Sequence, residues 1–262
     1  MDEKELVELI ISESKDIERI LNIDFMGKYC ELHNVDLEHN KLRVKQEVVA
    51  KRGYFMSVKK KYALKIVNQE GKWVDECDIK GISSKRSDYP QFTKIKISKL
   101  LDLILLEDNI SFKKIREFVS DTENEAKLLC ISGDKSVARP VSFSRKVNEY
   151  KKVPSHVLGM LLWNDLEYNY FVKGTKGYLY KISGVDLYIA PNGVKRNIHK
   201  MNEKHNNIVL PYEEDKLPEH YSINVDAMLD FCWVQRYREL LSPIMNLVDK
   251  GRKVATKSIV TF

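Results

Sequence analysis

Between Leu6 and Leu21 the apolar positions recur every three to four residues. Leu6, Leu9, Ile10, Ile17, Ile20 and Leu21 share one side of a helical wheel, and acids and lysines fill the other. That spacing predicts an amphipathic helix over residues 3–21. The period then shortens. Leu42, Val44 and Val48 alternate with Arg43, Lys45 and Glu47, the two-residue repeat of a strand. Gly53 reads as the break in that strand, and Tyr54–Val58 and Tyr62–Val67 as two more. Asn68-Gln-Glu-Gly71 supplies turn chemistry before a further strand at Trp73. Residues 1–85 are thus expected to form an α+β unit, a helix laid against an antiparallel sheet.

Pro90 marks a change of character. Residues 91–106, 111–130 and 154–168 carry helical patterns, the last opening on Pro154, which suits a first helical turn. Residues 177–190 alternate Tyr178, Tyr180 and Ile182 with polar neighbours and read as short strands. A long apolar stripe, Val225, Met228, Leu229, Cys232, Tyr237, Leu240, Leu241, Ile244 and Val248, predicts a closing helix, kinked or restarted at Ser242-Pro243. A mainly helical unit with short strands is expected over 86–249, and a flexible tail over 250–262.

Composition narrows the class. With 43% apolar and 31% charged residues, the 262-residue chain can bury one large core or two smaller ones. The apolar run from Leu100 to Leu106 is interrupted by Asp102 and too short to span a bilayer, and Met-Asp-Glu-Lys-Glu at the start lacks the features of a secretory leader. No membrane association is expected. Four scattered cysteines, Cys30, Cys77, Cys130 and Cys232, point to reduced thiols and a cytoplasmic setting. Cys30, His33 and His39 lack a further ligand at workable spacing, so no metal site is expected.

Charge is uneven. The net +6 of the chain is modest, but residues 41–66 hold nine lysines and arginines against a single acid, Glu47. Such a cluster suits a polyanion; the alternative is a solvated basic face.

Within that basic stretch, Gln46 to Leu64 includes Lys59-Lys60-Lys61-Tyr62 after a Val-rich strand. Here the sequence resembles family B DNA polymerases, whose Lys-x-Tyr motif falls on Lys60 and Tyr62. Gly81-Ile-Ser-Ser-Lys-Arg-Ser-Asp-Tyr-Pro90 is similar to the family's passage from palm to thumb. Pro154-Ser-His-Val-Leu-Gly-Met-Leu-Leu-Trp-Asn164 looks like the thumb helix of the tailed-phage members. The resemblance implies a C-terminal piece, palm edge plus thumb, that grips primer–template DNA during viral replication. Lys59, Lys60, Lys61 and Tyr62 would touch the new duplex from its minor-groove side, where shared acceptors report shape and not sequence. Lys85 and the fork-shaped Arg86 would meet primer phosphates. His156 is expected to pack or cap and not to catalyse.

The same resemblance implies an absence. The palm carboxylates that hold two Mg²⁺ ions, the fingers signature and the exonuclease carboxylates are not found in the chain, and Asp121-Thr-Glu123 reads as a chance likeness. The chain opens with Met1 where the family's palm helix would lie. A split gene is expected, with an N-terminal partner chain supplying exonuclease, palm carboxylates, Mg²⁺ and fingers, in a host cytoplasm. Alone, the chain would be inactive. The alternatives are a stand-alone, sequence-independent DNA-binding accessory protein and an inactive remnant. The end, Lys250 to Phe262, is similar in pattern to the family's sliding-clamp peptides, with Ile259 and Phe262 as anchors.

Overall fold

A computed structural model describes residues 2–107, 110–167, 174–198, 206–250 and 259–261. The chain is α+β and divides into two compact units. One comprises Met1–Phe55, Tyr62–Lys80 and Ala255–Phe262, the other Met56–Lys61 and Gly81–Val254.

The first unit begins with α1 (Glu3–Arg19), whose N-terminal amide donors are satisfied by a reciprocal capping box. Asp2 N–H donates to Glu5 at 3.0 Å, and Glu5 N–H donates to Asp2 at 2.8 Å. The helix does not stop at Leu21. It continues through a π-helical turn, Ile20–Phe25, into α2 (Met26–Leu32), because no helix-breaking residue precedes Gly27, which faces open space.

A four-stranded sheet follows in the order β3-β2-β1-β9, from β1 (Val48–Phe55), β2 (Tyr62–Gln69), β3 (Lys72–Lys80) and β9 (Ile259–Thr261). Every neighbouring pair is antiparallel, with Phe55 opposite Tyr62 and Gln69 opposite Lys72. The β2–β3 turn has φ of 50° at Glu70 and 84° at Gly71, the double left-handed backbone that hairpin twist favours.

Two sequence expectations fail here. Residues 42–47 form no strand, although their residues alternate. Asn22 occupies the pairing positions instead, exchanging 2.7 Å hydrogen bonds with both the N–H and the C=O of Val44. Gly53 does not break β1 but sits inside it, where a Cβ would lie 2.7 Å from the Phe55 ring. One core cluster of this unit joins Val7, Val49 and Val67, with Ile10 and Ile11 packed on them, and Tyr54, Ala63 and Ile66 of the sheet are buried as well. Much of the expected apolar stripe is nevertheless uncovered. Leu9, Ile17, Ile20, Ile23, Phe25 (60%), Tyr29 and Leu32 (81%) are exposed.

The second unit carries α3 (Gln91–Leu105), α4 (Phe112–Ser132) and α5 (Ser155–Glu167) close to the expected ranges. Instead of short strands, residues 176–189 form one long strand, β5 (Lys176–Ile189). Its first half pairs with β4 (Arg139–Ser142) and β7 (Asn207–Pro211). Its second half pairs with β6 (Lys195–Ile198) and β8 (Tyr221–Ile223). Gly159 brings α5 onto β7, where a Cβ would press on Val209 and the Asn207 backbone at 3.2–3.3 Å.

The closing stripe forms α6 (Val225–Leu229), a π-helical stretch Asp230–Val234 and α7 (Gln235–Lys250). Its irregularity falls at residues 230–234, while Pro243 is contained within α7. Trp233 is fully buried there, edge-on to Phe92 and Phe118, and its indole N–H donates to the Val119 carbonyl at 3.3 Å. All four cysteines are free thiols. Among the described residues no helix is long and apolar enough to cross a membrane.

Candidate nucleic-acid interface

In the second unit the segment Met56–Lys61 makes a tight turn. Met56 N–H donates to the Lys61 carbonyl at 3.0 Å, Lys61 N–H donates to Val58 at 3.3 Å, and Lys60 sits at φ 62°. A lysine rarely adopts that backbone, so the turn is held from outside. Gly81, at φ 67°, passes so close that a Cβ on it would lie 2.5 Å from the Lys60 carbonyl oxygen. The glycine opening the Gly81–Pro90 passage thus has a physical reason: only a residue without a side chain fits against the Lys60 backbone.

The three lysines are not equivalent. Lys59 and Lys60 are exposed, whereas Lys61 is largely buried and its ammonium pairs with Glu239 of α7. Glu239 also pairs with Arg236 at 3.5 Å. Arg236 lies 5.2 Å from the centroid of the Tyr89 ring and donates to its hydroxyl at 3.3 Å. Arg86 lies 5.1 Å from the same ring and meets Asp88 through two bonds, 3.0 Å from Nε and 2.9 Å from Nη2. Its side chain stays half exposed, leaving donors free for a second acceptor.

Electrostatics follow the contacts. The hydrogen bond and charge of Asp88 push the Arg86 pKa above its ordinary value. Burial alone would raise the Asp88 pKa, but the bonds and charge of Arg86, with Arg139 adding to them, hold it below the usual carboxylate range. Lys85 ends a short 3₁₀ turn, Ser83–Lys85, and is exposed.

Tyr62 belongs to the first unit, where it opens β2 half-buried with its ring 6.1 Å from that of Phe55. Part of the linear basic run is taken up within that unit. Lys45 pairs with Glu70 (3.4 Å), Lys51 with Glu3 (2.6 Å) and Lys65 with Asp75, and Arg52 is buried. The run is therefore not one continuous positive face. Sequence reasoning missed Glu239, Arg236 and Tyr89. The first two lie on the polar side of the closing stripe, and nothing local marks an acid that will meet a lysine 178 residues away.

His39 gathers with Asp36 and Glu38, and not with Cys30 or His33; their ligand atoms lie within 4.8 Å of one another and all three residues are exposed. Asp121 and Glu123 stand at i and i+2 on α4, a spacing that aims them at different sides of the helix. Neither set fits two Mg²⁺ ions bridged by facing carboxylates. His156 lies half-buried, its ring 5.7 Å from that of Phe143. Ile259 lies opposite Tyr54 in the β9–β1 pair, and Phe262 is outside the described residues.

The family model for DNA polymerase family B matches residues 12–157, more than half of the chain. The chain belongs to DNA polymerase family B. The match takes in Lys60, Tyr62, Lys85, Arg86 and His156. Among solved structures, the family B DNA polymerase of the hyperthermophilic archaeon Pyrobaculum calidifontis is 18% identical, with a TM-score of 0.49. The similarity covers 83% of this chain but 24% of that one. No curated protein matches.

Proposed function

We propose that this family B polymerase chain is the palm-edge and thumb subunit of a split, tailed-phage-type enzyme, gripping primer–template DNA in the host cytoplasm. A separate chain supplies exonuclease, palm carboxylates, Mg²⁺ and fingers. The observation that carries the reading is the uncovered apolar face of residues 9–32. A folded domain working by itself rarely leaves so many large apolar side chains in water, whereas a piece of a larger palm must. A stand-alone accessory protein would show a sealed, polar surface there. Addition of the partner should slow hydrogen exchange across residues 1–60, and an unchanged exchange pattern would show that the halves do not meet.

Duplex is held through phosphates by Lys59, Lys60, Lys85 and Arg86, with Tyr62 against the minor groove. Lys61 acts at one remove, fixing the turn through Glu239. Roughly four to six phosphate contacts give a log–log slope of affinity against salt of about −4 to −5. Lys60→Ala and Arg86→Ala should each flatten that slope by about one, equally on duplexes of different sequence. Salt-insensitive binding, or strong sequence preference, would point instead to a specific regulator.

The C-terminal segment serves as a sliding-clamp peptide, anchored by Ile259 and Phe262. A peptide of residues 250–262 should bind the cognate clamp with a Kd of about 1 μM, and Phe262→Ala should cost roughly 2 kcal/mol or more. Equal clamp-dependent processivity with and without the last six residues would remove the segment from that role.

A further inference from the structure

We infer that the cavity between α1 and β1 is the docking site of the Phe262 side chain, so that the chain holds back its own clamp peptide until a clamp competes for it. The docking rests on the sheet and the cavity. Its consequence for the clamp rests on the reading of residues 250–262 given above.

β9 is already seated on the strand that borders the cavity. It pairs antiparallel with β1, with Ile259 opposite Tyr54, Val260 opposite Gly53 and Thr261 opposite Arg52. Among the described residues no strand pairs with residues 48–51 on that side of β1. One further step of the same ladder would set Phe262, itself outside the described residues, opposite Lys51. The β1–β2 register slips between Ala50 and Arg52 and skips Lys51, and a bulge of this kind re-aims a side chain. Lys51 leans toward α1, where its ammonium pairs with Glu3 at 2.6 Å. Residues directly opposite each other in an antiparallel pair share a face of the sheet, so the register would send the Phe262 side chain to the α1 side as well.

A cavity of about 250 Å³ lies there. Leu6, Val7, Ile10, Val49 and Val67 line it with hydrocarbon, and Lys51 and Glu3 stand beside them, partly exposed. An apolar space of about 150 Å³ already holds a benzene ring, so a phenyl side chain fits with room left. Water gains little from such a lining, which offers few hydrogen-bond partners, whereas an aromatic ring gains by leaving water for it. The occupant closest to hand is the chain's own. Ala255–Phe262 belongs to the same compact unit as α1 and β1, and β9 runs along β1 toward the cavity. Phe262 cannot fill this cavity and a groove on a clamp at once. Docking is therefore an autoinhibitory contact: a clamp binds the chain only when the ring is out, and its apparent affinity falls in proportion.

The test uses the full chain. Phe262→Ala should speed hydrogen exchange across residues 48–51 and the first turns of α1, and lower the melting midpoint by roughly 3 °C. Leu6→Trp fills the cavity from its own wall and should displace the ring. In that background Phe262→Ala should change neither readout. If Leu6→Trp does not fold, the exchange comparison of the parent with Phe262→Ala decides alone. With the cognate clamp, the full chain should bind roughly tenfold more weakly than a peptide of residues 250–262, and Leu6→Trp should recover most of that difference. If Phe262→Ala leaves exchange and melting unchanged, the docked ring is overturned, whatever the clamp does. Effects that grow with protein concentration would place the ring in a second copy and overturn self-docking. Docking with equal clamp affinity of chain and peptide would overturn the autoinhibitory role. If the docking effects appear but neither chain nor peptide binds the clamp, the clamp reading of the segment is wrong and the docked ring is upheld.

Discussion

Purified by itself, the chain should extend no primer, and extension should appear when the partner chain is co-expressed. Phosphoryl transfer to a primer end needs two metal ions about 3.5–4 Å apart, one activating the 3′-hydroxyl and one steadying the leaving pyrophosphate. The carboxylates for them must face each other across a small gap. Asp121 and Glu123 cannot, because positions i and i+2 of a helix diverge and Thr122 between them is buried. Asp36, Glu38 and His39 can approach one another, but all three are exposed to water at a short 3₁₀ turn, where a bound ion would keep its hydration. The measurement is a gel of primer extension with Mg²⁺ and all four nucleotides, for the chain, the partner and both. Expected is no product from the chain alone and full-length product from the pair. Lys60→Ala and Arg86→Ala in the pair should shorten the products, since a weaker grip releases duplex sooner. Robust extension by the single chain would overturn the split-enzyme reading.

The parts legible in the sequence were those where one local pattern decides the structure. Helices α3, α4 and α5 follow from apolar periodicity, with Pro90 and Pro154 at the starts of the first and last; the Ser111 hydroxyl, which accepts from Lys114 N–H as the N-cap of α4, is seen only in the structure. The Lys60 turn and Gly81 were legible as motif positions, but the reason they belong together was not. That reason is a carbonyl passing where a Cβ would be, which no spacing reveals. Strand alternation misled over residues 42–47, which have the right period but join no strand; Asn22, twenty-two residues upstream, satisfies Val44 instead. Likewise the apolar stripe of α1 had the right period, and what it could not tell is that Val7, Ile10 and Ile11 would find a partner while Ile17 and Ile20 would not. Periodicity reports which face is apolar. Whether anything covers that face depends on what else is present.

Gly81→Ala should be the most damaging small substitution in the interface, although it removes no contact. The new methyl would sit 2.5 Å from the Lys60 carbonyl oxygen and 3.1 Å from Lys61 Cγ, and the first of these is backbone, which cannot rotate away. The residue would also carry a left-handed φ of 67°, which costs an alanine about 1 kcal/mol or more. Relieving the overlap means shifting the Met56–Lys61 turn, whose Lys60 is itself at φ 62° and whose Lys61 is tied to Glu239. Strain and lost pairing together should cost roughly 2–4 kcal/mol. Gly71 provides the control: its φ is 84°, but a Cβ there would meet nothing within 4 Å, so Gly71→Ala should show only the backbone term of about 1 kcal/mol. Urea unfolding of both variants separates strain from collision. Duplex binding adds a second readout. Gly81→Ala should lose at least as much affinity as Lys60→Ala, because displacing the turn moves Lys59 and Lys60 together, while Gly71→Ala should bind like the parent. If Gly81→Ala were as stable as Gly71→Ala and gripped duplex normally, the close passage of Gly81 over Lys60 would not be what holds the turn in place.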